Sequence, residues 1–156
     1  MATIIIYATK HGAAGEIARR IANRMDGAIA HDLKREPFPS LEGFDCVIIG
    51  SSLYAGMIRG EAKTFMARNA NALQGKKLGL FLSGLDARGE KEYFKTNFSR
   101  DILQTAKAAV FLGGIFDPKK AGLMERLVMK VVSKKSEYAN TIDDSKIEQF
   151  VKAIGE

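Results

Sequence analysis

Apolar residues fall in short blocks along the chain, and the spacing inside the blocks switches between two patterns. Thr3, Ile4, Ile5, Ile6, Tyr7 and Ala8 are mostly apolar at consecutive positions and rich in β-branched side chains. A strand covered on both faces of a parallel sheet reads this way. Residues 16–25 change period: Ile17, Ala18, Ile21, Ala22 and Met25 share one helical face, the arginines take the other, and Gly27 supplies a stop. Residues 28–33 predict a short second strand. Pro37 and Pro39 then exclude a regular long helix, so the second crossover is expected to be abbreviated.

The clearest parallel strand is predicted over 44–51. A helix over 61–73 follows, with Phe65, Met66, Ala70 and Leu73 at helical spacing before Gly75. Strands are expected at 77–83 and 108–116, and helices at 90–107, 122–134 and 146–153. In the last helix Ile147, Phe150, Val151 and Ile154 share a face. Strands alternating with helices imply parallel βαβ units with right-handed crossovers. The expected fold is therefore a doubly wound α/β sandwich, with a parallel sheet of about five strands and helices on both faces. Ligands in such sheets sit beyond the carboxyl ends of the strands, which directs attention to the loops after the first, third and fourth strands.

With 156 residues, 46% apolar, and no Pro/Gly/Ser-rich stretch dividing segments of different composition, residues 1–156 read as one domain. The longest apolar run, around 108–116, is under half of the roughly 20 residues that span a bilayer. The first residues are a β-branched strand rather than a secretory leader. The expected location is the cytoplasm, with a peripheral membrane contact left open. Cys46 is the only cysteine, which rules out an internal disulfide, and its setting reads as a buried strand position. His11 and His31 are the only histidines and lie apart in sequence, so no metal site is expected. A net charge of +6 favours acidic partners, anionic lipid surfaces or nucleic acid.

The loop Thr9, Lys10, His11, Gly12, Ala13, Ala14 stands directly after the first strand and directly before the first helix. Unpaired N–H groups and the positive end of the helix dipole converge there, so a phosphate can be held largely by backbone donors. Thr9 can add a hydroxyl, and Gly12, Ala13 and Ala14 allow close approach. The loop is neither the Gly-x-Gly-x-x-Gly of a dinucleotide fold nor a loop ending in Gly-Lys-Ser/Thr. Standing alone it also suits an ordinary strand-to-helix turn, and Lys10 and His11 suit solvated side chains.

The stretch from Tyr7 through Ala18, with this loop at its centre, resembles the FMN-phosphate motif of the flavodoxin family. The family's loop commonly reads Ser/Thr-x-Thr-Gly-x-Thr. Ala14 stands at its last hydroxyl position, so one side-chain contact to the phosphate is missing. The segment Phe44, Asp45, Cys46, Val47, Ile48, Ile49, Gly50, Ser51, Ser52, Leu53, Tyr54, Ala55, Gly56 resembles the third strand and first flavin-ring loop. Its likeness is greatest to the menaquinone-dependent protoporphyrinogen IX dehydrogenase branch, as is that of Gly113 to Phe116 and Leu123 to Lys130.

The resemblance implies FMN as cofactor, with its phosphate on the first loop. The ring would then lie across the loops Ser51 to Arg59 and Ser83 to Tyr93, with Ser51, Ser52, Leu53, Tyr54, Ala55, Gly56, Ser83, Gly84, Leu85 and Asp86 as its expected contacts. Tyr54 is the stacking candidate, although a lone tyrosine suits a partly buried core position equally. Gly56 is the position from which related proteins present a backbone group to the flavin after reduction. The loop 83–89 lacks the aromatic that ordinary flavodoxins place opposite the first, so one ring face is open to a substrate or partner, or covered by Leu85. Asp86 and Arg88 read chiefly as solvated loop charges, with pairing to a substrate as the alternative.

Arg126, Lys130 and Lys134 recur every fourth residue, with Lys119, Lys120 and Lys135 nearby. This is either a solvated helix face or a contact with anionic lipid, an acidic protein or a propionate-bearing substrate. Three functions remain, in this order. The first is an FMN-dependent carrier of electrons or hydride equivalents serving a redox protein or a quinone. The second is a quinone-linked dehydrogenase acting on protoporphyrinogen IX. The last is a non-redox interaction module, with nucleic acid disfavoured because basic and aromatic residues are not interleaved.

Overall fold

The computed structural model describes residues 1–120, 122 and 138–156. Its centre is a parallel sheet of β1 (Thr3–Ala8), β2 (Ile29–Asp32), β3 (Cys46–Tyr54), β5 (Lys77–Ser83) and β6 (Ala108–Phe111), in the order β2-β1-β3-β5-β6. Strand order reverses between β1 and β3, whose register pairs Thr3 with Cys46 and Ala8 with Ser51. The loops after β1 and β3 therefore leave the sheet side by side, as expected at a switch point.

Because successive strand residues face opposite ways, the apolar runs feed two cores. Ile4, Ile6, Val47, Ile49, Leu78, Leu80 and Leu82 pack on one side, against Ala62, Phe65 and Met66 of α2 (Gly60–Arg68) and Phe94 of α4 (Glu90–Asn97). Ile5, Cys46, Ile48 and Phe81 pack on the other. There they meet Ala14, Ile17, Ala18 and Ile21 of α1 (Ala13–Ala22) and Ile147, Phe150 and Ile154 of the final helix, α6 (Asp144–Gly155). Cys46 is a core residue, and burial pushes its thiol pKa up, which keeps the sulfur protonated and inert.

Three predicted elements differ from those observed, and one observed strand was not expected. The helix over 61–73 breaks at Asn69, whose side-chain amide donates to the Phe65 carbonyl, leaving a short α3 (Ala70–Leu73). The helix over 90–107 ends at Asn97. Buried Phe98 is extended, and Ser99 caps a new helix, α5 (Arg100–Thr105), by accepting from the Ile102 N–H at 3.2 Å. The strand over 108–116 stops at Phe111, and the chain turns through Gly113 into β7 (Ile115–Phe116), which pairs with β8 (Ala139–Asn140). A hairpin strand, β4 (Met57–Ile58), extends β3 where no strand was expected. The predicted helix over 122–134, with the basic stripe at Arg126, Lys130, Lys134 and Lys135, falls outside the described residues except for Gly122. Among the described residues no helix is long and apolar enough to cross a membrane.

Candidate functional site

A cleft of about 240 Å³ opens beyond the carboxyl ends of β1, β3 and β5. One end is the start of α1. Gly12 precedes this helix at φ 102°, a conformation open to glycine and strained for other residues. The Thr9 hydroxyl accepts from the Gly12 N–H at 2.9 Å, which closes the loop and leaves the hydroxyl proton to donate elsewhere. The first hydrogen bond into the helix runs from the Glu16 N–H to the Gly12 carbonyl. The N–H groups of Ala13, Ala14 and Gly15 therefore have no intrahelical acceptor. Lys10 ties this loop to the next, its N–H donating to the Ser52 hydroxyl at 3.2 Å.

The β3–β4 hairpin forms one long wall. Its ladder pairs Leu53 with Ile58 and Tyr54 with Met57, leaving Ala55 and Gly56 as a two-residue turn. Both have positive φ, 51° and 77°, as a tight hairpin turn demands. Ala55 is the one non-glycine residue in this region among those described, and such strain persists only where its surroundings enforce it. Tyr54 stands at the rim, 42% exposed, with the Lys10 ammonium 4.3 Å from its ring centroid.

Ser83, Gly84, Leu85 and Asp86 line the side reached from β5. The Ser83 hydroxyl is buried and has no hydrogen-bond partner. A buried polar atom left so at a cleft lining suits a ligand that supplies the missing bond. Asp86 lines the cleft with a carboxylate that already has a partner. Its carboxylate accepts from Arg88 at 2.9 and 3.0 Å, and that guanidinium holds its pKa below the usual carboxylate range. Asp86 and Arg88 form an ion pair within the loop, with the Arg88 side chain exposed.

Among the residues named from sequence, Thr9, Lys10, His11, Ala13, Ser52, Leu53, Tyr54, Ala55, Gly56, Ser83, Gly84, Leu85 and Asp86 line this cleft. Gly12, Ala14 and Ser51 do not. Gly12 shapes the loop, and Ala14 is fully buried beneath it. The Ser51 hydroxyl is committed to the Arg59 N–H and the Ser52 carbonyl, both at 2.9 Å.

Sequence reasoning missed Phe111 and gave Gly114, Ile115 and Phe116 no place in the site, whereas Tyr93 ends the second ring loop it expected. Tyr93, Phe111, Gly114, Ile115 and Phe116 complete the lining, with the Tyr93 and Phe111 ring centroids 6.2 Å apart. Glu90 anchors this side, its carboxylate accepting from the Phe111 N–H at 2.9 Å. Burial chiefly raises the Tyr93 pKa, so the phenol stays neutral and presents an apolar face. Tyr93 stands at the end of the expected ring loop, where sequence reasoning assigned it no role of its own. The cleft thus joins a helix start with unpaired backbone donors to a slot lined by Tyr54, Tyr93, Phe111 and Phe116.

Comparisons with known proteins agree with this geometry. A family profile described as the flavodoxin domain matches residues 4–143. Protoporphyrinogen IX dehydrogenase [quinone] of Escherichia coli K12 is 27% identical over 150 residues, covering 87% of this chain and 81% of the relative. The crystal structure of oxidised flavodoxin 2 from Bacillus cereus superposes with a TM-score of 0.64 at 20% identity, covering 99% of this chain and 98% of the other. A flavoprotein from Lactobacillus acidophilus, solved in complex with FMN, gives a TM-score of 0.50 at 14% identity, over 70% of this chain and 91% of that one.

Proposed function

Because this chain belongs to the flavodoxin domain family, we propose that residues 1–156 are one FMN-binding redox domain that passes electrons or hydride equivalents through the flavin. The observation that carries the reading is the two-ended cleft. Its helix start, where Thr9 and Ala13 line the cleft, offers a backbone N–H and the Thr9 hydroxyl to a phosphate, and the slot beyond holds Tyr54 and Tyr93. FMN needs both ends at once, a dianionic head and a flat heteroaromatic ring. FMN, when bound, supplies the electron chemistry.

The protein's own groups bind and orient. The α1 dipole and its N–H groups attract the phosphate. The Ser83 hydroxyl is positioned to satisfy a polar atom at the ring edge, and the aromatic walls exclude water from the ring faces. Within the lining, the Asp86 carboxylate is held by Arg88.

The Escherichia coli relative, named a quinone-linked protoporphyrinogen IX dehydrogenase, supports a second reading in which this chain oxidises a porphyrinogen. It ranks second because Arg88, a candidate for holding a propionate, is engaged by Asp86.

The deciding measurement is a fluorescence titration of the apoprotein with FMN and with riboflavin, which lacks the phosphate. FMN is expected to bind at least about tenfold tighter, or about 1.4 kcal/mol. Equal affinities would overturn phosphate anchoring at α1.

A further inference from the structure

The two aromatic walls of the cleft belong to different elements, the β3–β4 hairpin and helix α4, and one side chain joins them. Asn97, at the end of α4, accepts from the Ile58 N–H through Oδ1 at 2.9 Å. Its Nδ2 donates to the Gly56 carbonyl and to the Tyr93 carbonyl, both at 2.8 Å. Both donor hydrogens of the amide are thus used, and its oxygen is engaged as well. Two of the three bonds grip the hairpin on either side of Met57, and the third grips the turn of α4 that carries Tyr93. A Cβ placed on Gly56 would lie 3.7 Å from the Tyr93 ring, so the two walls already meet at this point.

The hairpin needs such a grip. Its ladder is only two residue pairs long, and its turn carries Ala55 at φ 51°. A two-stranded ribbon of this length is marginal by itself, and a left-handed alanine adds strain that the surroundings must contain. Removing the Asn97 amide would leave the buried Ile58 N–H and the Gly56 carbonyl without their partners. Both groups sit on the wall that includes Tyr54.

We propose that Asn97 is a positioning residue that sets the width of the ring slot, fixing Tyr54, Ala55 and Gly56 relative to Tyr93 for a planar heteroaromatic ligand. This rests on the flavin reading above and assigns a role to a residue that does not line the cleft. Asn97 acts on the ring end alone, since none of its bonds reaches residues 9–15.

The test compares the full chain with N97A and N97D by titration with FMN and riboflavin, alongside thermal unfolding and the visible absorption band of the bound flavin. In N97A both affinities are expected to fall by about fivefold or more. Their ratio should stay at the wild-type value, because the phosphate end is untouched, and the bound-flavin band should move toward that of free flavin. N97D keeps the acceptor for Ile58 but loses both donated bonds and sets a carboxylate oxygen against the Gly56 and Tyr93 carbonyls, so it is expected to lose at least as much affinity as N97A. Lowered thermal stability with wild-type affinities and band would make Asn97 merely structural and overturn the proposal. So would an N97D that binds like wild type, or a selective loss of FMN with riboflavin unchanged. A wild-type chain that binds both flavins equally would overturn the phosphate reading and leave the Asn97 result to stand on riboflavin alone. A wild-type chain that binds neither would overturn both.

Discussion

Lys10 and Tyr54 come from different loops and meet across the mouth of the cleft, with the ammonium 4.3 Å from the ring centroid. The Lys10 N–H also donates to Ser52, so the contact is braced at the backbone. Lys10 and Tyr54 both line the cleft, and the aromatic quadrupole attracts the ammonium to the ring face. One phosphate-loop side chain thereby helps orient the tyrosine of the ring slot.

The ring end can be probed at this contact. Replacing Tyr54 by Ala should weaken FMN and riboflavin alike by about three- to tenfold, in line with the roughly 0.5–1.5 kcal/mol of an aromatic pair. Tyr54→Phe should retain most of the affinity. An unchanged riboflavin dissociation constant in the Ala variant would remove Tyr54 from the ring slot.

The phosphate end has a separate handle in Gly12. Its φ of 102° strains any side chain, although nothing lies within 4 Å of a Cβ built there. Gly12→Val should therefore disturb the loop through backbone strain and by crowding the phosphate, rather than through a clash inside the protein. FMN affinity should drop at least about tenfold. Riboflavin affinity should change little, and FMN binding close to wild type in a folded variant would contradict the loop assignment.

The sheet makes its own prediction at Gly50 of β3, which is paired with Phe81 of β5. A Cβ at position 50 would stand 2.0 Å from the fully buried Phe81 ring. Neither strand can shift without breaking ladders on both sides. Gly50→Ala should cost about 1–3 kcal/mol of stability, as overpacking does. Denaturant unfolding should show a lower midpoint at an unchanged slope, and an equal midpoint would mean that the ring moves aside freely.

The fold was legible where a single pattern governed the chain. Thr3–Ala8 and Lys77–Ser83 are nearly continuous apolar runs buried on both faces, and the strands were expected at those positions. The misses share one cause, because contacts distant in sequence overrode local spacing. Helical periodicity continues through residues 98 and 99, but burial of Phe98 and the Ser99 cap end α4 there. The β3–β4 hairpin hides behind an Ala at a left-handed position that the sequence rules reserve for Gly or Asn. For the same reason the cleft was half legible. Loop residues 9–13 and 52–56 follow from their place after a strand, as does the loop ending at Tyr93, whereas Phe111 reaches the cleft only through the packing of α4 on β6.

The last prediction separates a carrier from a porphyrinogen enzyme and turns on two arginines. Protoporphyrinogen IX bears two propionates that a dehydrogenase must hold while the macrocycle faces the flavin. Arg88 is already paired with Asp86 through two hydrogen bonds, so a propionate there would have to displace a carboxylate. Arg59 differs: its backbone N–H is taken by Ser51, while its side-chain Nε is buried without a partner. With FMN bound and menaquinone as acceptor, anaerobic conversion of protoporphyrinogen IX to protoporphyrin is expected to stay below about 1 per second, the low end of typical enzyme rates. Faster turnover would promote the dehydrogenase reading. Any turnover observed should then respond to Arg59→Gln through a higher KM at an unchanged kcat, since only ground-state attraction is lost. Arg88→Gln should leave KM as it was. The opposite pattern, with Arg88 decisive and Arg59 silent, would show that the Asp86 pair opens for substrate.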